Sequence, residues 1–161
     1  AAVGGKLYYA DNTIQHAGIV IGLGAHRAAG HTHYKDDKMH LGYMGRLCYA
    51  QDVTAVTGAC LLVSRAQYDE VGGLDEEFRV AFNDVDFCLK LRHAGYLNVF
   101  TPFAELYHYE SKTRGMEEGE KQKRFQQEVD LFRNKWKADL DAGDPYFNPN
   151  FSLDYSDYTI K

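Results

Sequence analysis

The spacing of hydrophobic and polar positions predicts strands in three parts of this chain. In "VGGKLYYADNTIQHAGIVIGL", two apolar runs flank the turn-formers Asp11 and Asn12, which predicts a β-hairpin over residues 3–23. The near-continuous apolar run "AVTGACLLVS", Ala55 to Ser64, is too short for a typical helix and predicts a buried strand. Farther along, "YLNVFTP" and "FAELYHYE" predict two short strands separated by Pro102.

Three helices are predicted between and after these strands. Ser64 and Gln67 form a capping-box pattern at the start of a short helix, which a pair of glycines ends. Asn83 is a suitable N-cap for a second helix, whose apolar stripe ends at Gly95. A third helix follows from apolar residues spaced by three and four positions: Phe125, Val129, Phe132, Trp136 and Leu140.

Because strands and helices interleave, we expect an α/β fold with a mixed β-sheet flanked by helices, in a single partial domain over residues 1–161. Residues 22–46 are rich in Gly, His, Lys and Asp, lack clear periodicity, and predict a long loop. Residues 143–161 are punctuated by Pro and Asn, and they predict an irregular C-terminal tail.

Composition narrows the classes of function. The net charge of -5 leaves no broad basic surface, so nucleic acid is not an expected partner. No apolar run approaches the roughly 20 residues that span a bilayer, and the N-terminal residues do not resemble a signal peptide. The three cysteines are widely spaced and predict free thiols rather than disulfides: Cys48, Cys60 and Cys88. We therefore expect a cytoplasmic protein.

Two carboxylates, Asp84 and Asp86, lie in the first turn of the predicted second helix, and three interpretations are open. Acidic residues there interact favourably with the helix dipole and stabilise the helix by about 0.3 to 1 kcal/mol each, which is the simplest explanation. A D-x-D metal site is less favoured, because residues two apart on a helix do not share a face. A single carboxylate at the helix start is also suited to accept a proton from a hydroxyl group.

Other polar residues are weaker candidates. His108 follows a predicted strand, but a lone histidine is more often a packed or surface residue than a metal ligand. Lys112 and Arg114 belong to a basic segment suited to phosphate, with a solvated turn as the alternative. Four histidines in the long loop match no zinc signature, so a solvated loop is favoured over metal contact: His26, His31, His33 and His40.

Three segments taken in order point to a family. "AVTGACLLVSRAQYDEVGGLDEEF", "FNDVDFCLKLRHAGY" and "ELYHYESKTRG" together resemble the C-terminal half of the catalytic domain of glycosyltransferase family 2, inverting enzymes with the GT-A fold. "GGKLYYADNTIQHAGIVIGLG" and "DPYFNPNFS" are similar to members that build bacterial cell-surface polysaccharides such as rhamnose-rich O-antigen chains. The resemblance covers nearly the whole chain.

The resemblance implies roles for individual residues. Asp84 matches the catalytic base, and His108 matches a ligand of the divalent metal, Mg²⁺ or Mn²⁺, that accompanies the nucleotide diphosphate. Lys112 and Arg114 match a segment that folds over the diphosphate. The acceptor side of the site is implied for four residues: Thr57, Gly58, Ala59 and Asn83. Asn83 departs from the family, which usually has Glu there, so the helix cap is kept and a negative charge is lost.

The implied function is transfer of a sugar from a nucleotide-diphosphate donor to a saccharide acceptor. The family's nucleotide-binding half, with its own D-x-D motif, would precede Ala1, so we expect this chain to be an inactive fragment of a longer enzyme. We also expect a site cleft shared by Asp84 and His108, an exposed apolar sheet edge or a homodimer, and peripheral attachment of the full enzyme to the inner face of the membrane. The alternative is a non-catalytic carbohydrate-binding or interaction module, favoured by the long His-rich loop and the twelve tyrosines.

Overall fold

The computed structural model describes residues 1–109 and 119–161, and these form a mixed α/β fold. The strands are β1 (Val3–Tyr8), β2 (Ile14–His16), β3 (Ile19–Ile21), β4 (Ala29–His31), β5 (Gln51–Val53), β6 (Leu61–Leu62) and β7 (Asn98–Tyr107). The helices are α1 (Arg65–Glu70), α2 (Asn83–His93), α3 (Glu120–Lys135) and α4 (Lys137–Ala142). The main sheet has the order β2-β1-β7-β5, with β6 also pairing with β1, while β3 and β4 form a second sheet. Since β1 and β7 are parallel and the other pairs antiparallel, the predicted mixed sheet is confirmed.

The predicted N-terminal hairpin is confirmed only in its first part. β1 and β2 pair around a turn in which Asp11 accepts hydrogen bonds from the N–H (3.0 Å) and hydroxyl (2.7 Å) of Thr13. The second apolar run does not continue as one strand, because Gly18 has a φ of 98° and redirects the chain. β3 consequently leaves the hairpin and pairs with β4.

The prediction of a buried strand over Ala55 to Ser64 is wrong. Only Ala55 and Val56 in this run are buried, and a 3-10 turn at Gly58–Cys60 separates them from the two-residue strand β6. Thr57 starts the turn, and its side chain accepts a hydrogen bond from the N–H of Ala59. The local capping ability of Thr57 therefore prevails over the apolar composition of the run.

Pro102 lies in a bulge within β7, so the prediction that it separates two strands is wrong. The register with β1 passes from Gly5 opposite Thr101 to Lys6 opposite Glu105, so residues 102–104 bulge outwards. A Cβ atom on Gly5 would lie 2.6 Å from the carbonyl oxygen of Ala104, which makes glycine necessary there. A bulge is a place in a sheet where proline is tolerated.

The helix boundaries follow most of the local signals. Ser64 caps α1 as predicted, with its Oγ accepting from the N–H of Gln67, and Gly95 ends α2 with a φ of 89°. The prediction that Asn83 caps α2 is wrong by one position: Phe82 is the N-cap, with a φ of 63°. Its ring stacks with those of two aromatic residues of α3, Phe125 and Phe132, so tertiary packing selects the cap.

The predicted third helix is divided into α3 and α4 at Trp136. The indole N–H of Trp136 donates to Oδ1 of Asp86 (2.9 Å), and Nζ of Lys135 lies 2.7 Å from the same oxygen. Asp86 is fully buried on α2. This contact ties the start of α2 to the junction of α3 and α4, so Asp86 has a structural role beyond the helix dipole.

Residues 22–46 are more ordered than predicted. They contain β4 and a 3-10 turn at Tyr43–Gly45, and their backbone bonds back to β2, because the N–H of Lys35 donates to the carbonyl of Ile14. His33 is only 1% exposed and His31 is half-buried in β4. The interpretation of a solvated loop is therefore wrong for these two histidines, whereas the side chains of His26 and His40 are exposed.

The tail of residues 143–161 lacks helices and regular strands, as predicted. Asp144 is buried and accepts a hydrogen bond from the N–H of Ile21 (2.9 Å), which anchors the tail to β3. A second apolar cluster joins the tail to the small sheet through Val20, Leu23, Phe147 and Tyr158.

Part of the main sheet faces solvent. β5 pairs only with residues 98–100 of β7, so the remainder of β7 has no strand on that side within the described part of the chain. Phe103 is 79% exposed, and Leu106 and Tyr107 are also exposed. Within residues 1–109 and 119–161, no helix has the length and apolar character to cross a membrane.

Candidate functional site

Asp84 is held at the start of α2 by two backbone groups. Its Oδ2 accepts a hydrogen bond from the N–H of Gly58 (2.7 Å), and its Oδ1 accepts one from the N–H of Val85 (2.9 Å). Its side chain is half-buried. The approach to Gly58 is close, because a Cβ atom there would lie 3.4 Å from the Cβ of Asp84. The carboxylate thus has a defined orientation against the turn of residues 57–59, and each oxygen keeps a further lone pair.

Asn83 lies beside this carboxylate. Its Oδ1 accepts a hydrogen bond from the N–H of Asp84 (2.7 Å), and its side chain is half-buried. Three of the predicted residues, Gly58, Asn83 and Asp84, therefore form one connected group.

The turn of residues 57–59 also contacts a buried histidine that the sequence did not single out. The N–H of Thr57 donates to Nε2 of His16 (3.4 Å). Nδ1 of His16 in turn lies 2.9 Å from Nδ1 of His31, with the two rings almost perpendicular. His16 is fully buried, and burial, followed by the nearby His31, lowers its pKa well below the usual value.

These hydrogen bonds assign the tautomers of the two rings. Since Nε2 of His16 accepts the N–H of Thr57, the proton of the neutral ring is on Nδ1, which donates to His31. Nδ1 of His31 is then the acceptor, and a neutral His31 carries its proton on Nε2. The pair connects the turn of residues 57–59 to β4.

A cavity of about 490 Å³ lies next to this pair. This volume is within the range of small-molecule sites. Its lining includes aromatic, histidine and turn residues, among them Tyr9, His16, His31, Tyr34, Thr57, Ala59 and His108. Asp84 is not among the lining residues, but Gly58, to which it is bonded, lies between Thr57 and Ala59. The predicted acceptor turn and His108 thus share this cavity. Asp84 does not line it and is connected to it through Gly58, so this cavity is not the expected cleft shared by Asp84 and His108.

His108 follows β7 and is oriented by Gln15 of β2. Nδ1 of His108 lies 2.9 Å from Oε1 of Gln15. An amide oxygen only accepts, so Nδ1 carries the proton and Nε2 of the neutral ring has a lone pair. Metal-binding histidines characteristically donate their other N–H to such an oxygen. The donor chemistry at His108 therefore fits one ligand of a divalent metal. Within the described part of the chain, His108 belongs to no group of three ligating side chains.

Two aromatic side chains form a wall of the cavity. The hydroxyls of Tyr9 and Tyr34 lie 3.2 Å apart, with their rings edge to face. Nζ of Lys35 lies 3.6 Å from the centre of the Tyr9 ring, a cation–π contact.

Lys112 and Arg114, the predicted diphosphate ligands, lie outside the described residues. Sequence reasoning missed His16, Gln15, Tyr9 and Tyr34 as possible cavity residues. For His16, one signal was present in the sequence: a histidine within an otherwise apolar run.

Comparison with known proteins finds relatives that match this chain over nearly its whole length. An uncharacterized protein of Sinorhizobium fredii, y4gI, is 52% identical over 161 residues, which are 99% of this chain and 17% of that protein. The O-antigen biosynthesis protein RfbC of Myxococcus xanthus is 31% identical over 166 residues, covering 99% of this chain and 12% of that protein. The chain thus spans less than a fifth of the length of either relative.

A shorter match concerns an enzyme. N-acetylglucosaminyl-diphospho-decaprenol L-rhamnosyltransferase of Mycobacterium tuberculosis is 40% identical over 60 residues, covering 37% of this chain and 20% of the enzyme. No protein-family model and no solved structure matches the chain.

Proposed function

We propose that this chain is the acceptor-binding and catalytic-base part of an inverting glycosyltransferase of family 2, with the GT-A fold. In the full-length enzyme it would serve transfer of a sugar from a nucleotide-diphosphate donor to a saccharide acceptor during synthesis of bacterial cell-surface polysaccharide. The names of the Myxococcus and Mycobacterium relatives support this class of reaction. The small share of the longer relatives that the chain covers supports its being one part of a larger enzyme.

One observation carries the proposal: the hydrogen bond of 2.7 Å from the N–H of Gly58 to Oδ2 of Asp84. It joins the proposed base to the proposed acceptor turn, whose residues Thr57 and Ala59 line the cavity. A carboxylate fixed in this way is preorganised to receive a proton from a hydroxyl bound beside the turn.

The reaction is a direct displacement. Asp84 takes the proton of the acceptor hydroxyl, and the oxygen attacks the anomeric carbon from the face opposite the diphosphate. The bond from that carbon to the diphosphate oxygen breaks, and the nucleotide diphosphate leaves with the electron pair. Asn83, through its bond to the N–H of Asp84, helps to fix the start of α2.

His108 is the proposed protein ligand of a divalent metal, Mg²⁺ or Mn²⁺, through Nε2. When bound, such an ion offsets the charge that develops on the leaving diphosphate. Gln15 holds the ring in the tautomer that leaves Nε2 free of a proton. We propose Lys112 and Arg114 as further diphosphate contacts, and we propose that the nucleotide-binding half packs against the exposed part of β7.

The test is Asp84→Asn in the full-length enzyme, assayed by release of nucleotide diphosphate from a panel of nucleotide sugars. The Asn side chain has one acceptor oxygen, which can keep the bond from Gly58 while the bond from Val85 is lost. The fold, checked by circular dichroism, and KM should hold while kcat falls about 10²- to 10⁴-fold, the usual contribution of a general base. Asp69→Asn is the matched control, because Asp69 is an exposed carboxylate paired with Arg65 on α1. Near-normal turnover of a folded Asp84→Asn enzyme would exclude Asp84 as the base.

A second function, a non-catalytic carbohydrate-binding module, is supported by the Tyr9 and Tyr34 wall, since aromatic rings are suited to stack on sugars. If this chain is such a module, it should bind saccharides, and Tyr9→Ala should abolish that binding. The full-length protein should then show no sugar transfer. Transfer that depends on Asp84 would instead exclude the module.

A further inference from the structure

A second group of polar side chains lies outside the cavity, in the segment that follows β4. Oδ2 of Asp36 lies 2.9 Å from Nδ1 of His33 and 3.6 Å from Nδ1 of His40. The three side chains can each offer one ligand atom, and these atoms all lie within 4.8 Å of one another. Within residues 1–109 and 119–161, this is the one group of three ligating side chains with such spacing.

His33 is buried, and its ring packs against those of His40 and Tyr158. The residue is 1% exposed, and its Nε2 has no hydrogen-bond partner among the described residues. The other ring nitrogen, Nδ1, faces Asp36 and is the atom of His33 that is placed to bind an ion.

We propose that His33, Asp36 and His40 bind a divalent transition-metal ion of the Zn²⁺ class. Two imidazole nitrogens and one carboxylate oxygen suit Zn²⁺, whereas Mg²⁺ prefers oxygen ligands alone. With bonds of about 2.0 to 2.1 Å, ligand atoms of a tetrahedral site are about 3.3 Å apart, and the observed 2.9 and 3.6 Å lie on either side of this value. The His40 side chain is 52% exposed, so water can complete the coordination from that side.

Binding of the ion through Nδ1 of His33 would place the proton of that ring on Nε2, and the ion would join His33 and Asp36 to His40. Asp36 is already tied to β2, because its carbonyl accepts from the N–H of Ile14 (2.8 Å). Tyr34, which lines the cavity, lies between His33 and Asp36 in the chain. The metal would therefore hold the segment that carries Tyr34 in place. This role is structural and is independent of the proposed ligand His108.

The test is metal binding by the tag-free 161-residue chain after treatment with EDTA and dialysis. Co²⁺ is titrated while the visible absorption of tetrahedral Co²⁺ is recorded, Zn²⁺ is then added to displace it, and calorimetry gives the Zn²⁺ affinity and stoichiometry. The variants are His40→Gln and Asp36→Asn, both at positions that are not fully buried. His26→Gln is the control, because His26 is an exposed histidine of the same segment. Circular dichroism checks the fold of each variant.

We expect one Co²⁺ per chain with a tetrahedral spectrum, complete displacement by Zn²⁺, and affinity lowered roughly tenfold or more in His40→Gln and Asp36→Asn. The affinity of His26→Gln should equal that of the unmodified chain. The proposal is overturned by a lack of saturable binding, by unchanged affinity in both ligand variants, or by an equal loss in His26→Gln. Because no transferase activity is measured, failure of this proposal and failure of the proposed function are separate results.

Discussion

Acidification should weaken the fold of this chain through His16. The ring is fully buried, its Nε2 accepts the N–H of Thr57, and its Nδ1 faces His31. A second proton would place an N–H of His16 against the N–H of Thr57, and the charged ring would also lack the hydration that it has in water. The folded protein therefore disfavours the charged ring, whereas the unfolded chain takes up a proton freely.

The direction and size of the effect follow from proton binding. Because burial and His31 lower the folded pKa of His16, stability is retained above the unfolded pKa of about 6.5 and declines as the pH falls below it. If the folded ring stays neutral, the free energy of unfolding falls by about 1.4 kcal/mol between about pH 7.5 and pH 5.5 from this residue alone.

The measurement is urea unfolding followed by circular dichroism at these two pH values, with EDTA present to exclude metal effects. His16→Gln should be less stable at the higher pH, since it loses the contact with His31, but its pH dependence should be smaller by the amount given above. His26→Gln is exposed and should keep the full dependence. An equal pH dependence in the unmodified chain and in His16→Gln would refute the reasoning.

Two further predictions concern the interior. Asp86→Ala leaves the buried indole N–H of Trp136 without its acceptor and should lower the free energy of unfolding by about 2 to 3 kcal/mol in urea titrations. The loss should be smaller in Asp86→Asn. A loss under about 0.5 kcal/mol in Asp86→Ala would contradict this prediction. Burial raises the pKa of Cys88 to about 12, whereas Cys48 is exposed. After brief alkylation of the native chain, mass spectrometry should therefore find that Cys48 is modified and Cys88 is intact. Equal labelling of both cysteines would contradict the burial of Cys88.

Local signals in the sequence predicted the elements that depend on neighbouring residues. The Ser64 cap of α1, the end of α2 at Gly95 and the turn at Asp11 all appear as expected. Each depends on hydrogen bonds or backbone angles within a few residues, so composition and spacing are sufficient to predict it.

Long-range packing changed the predictions that failed. Phe82 takes the cap of α2 because two aromatic rings of α3 stack with it, and Pro102 is absorbed by a bulge because Gly5 on β1 leaves room for the carbonyl of Ala104. Neither partner is near in sequence, and a one-dimensional pattern does not report which distant side chains come into contact.

By itself, the sequence determined the interleaved α/β class, the irregular tail and the position of Asp84 at a helix start. Only the tertiary structure decided that Asp84 bonds to Gly58, 26 positions away, and that His16 joins Thr57, 41 positions away. The physical reason is that burial and hydrogen bonding are properties of the packed chain. A histidine in a polar segment is solvated by default, and it becomes a buried group such as His33 only when the fold removes it from water.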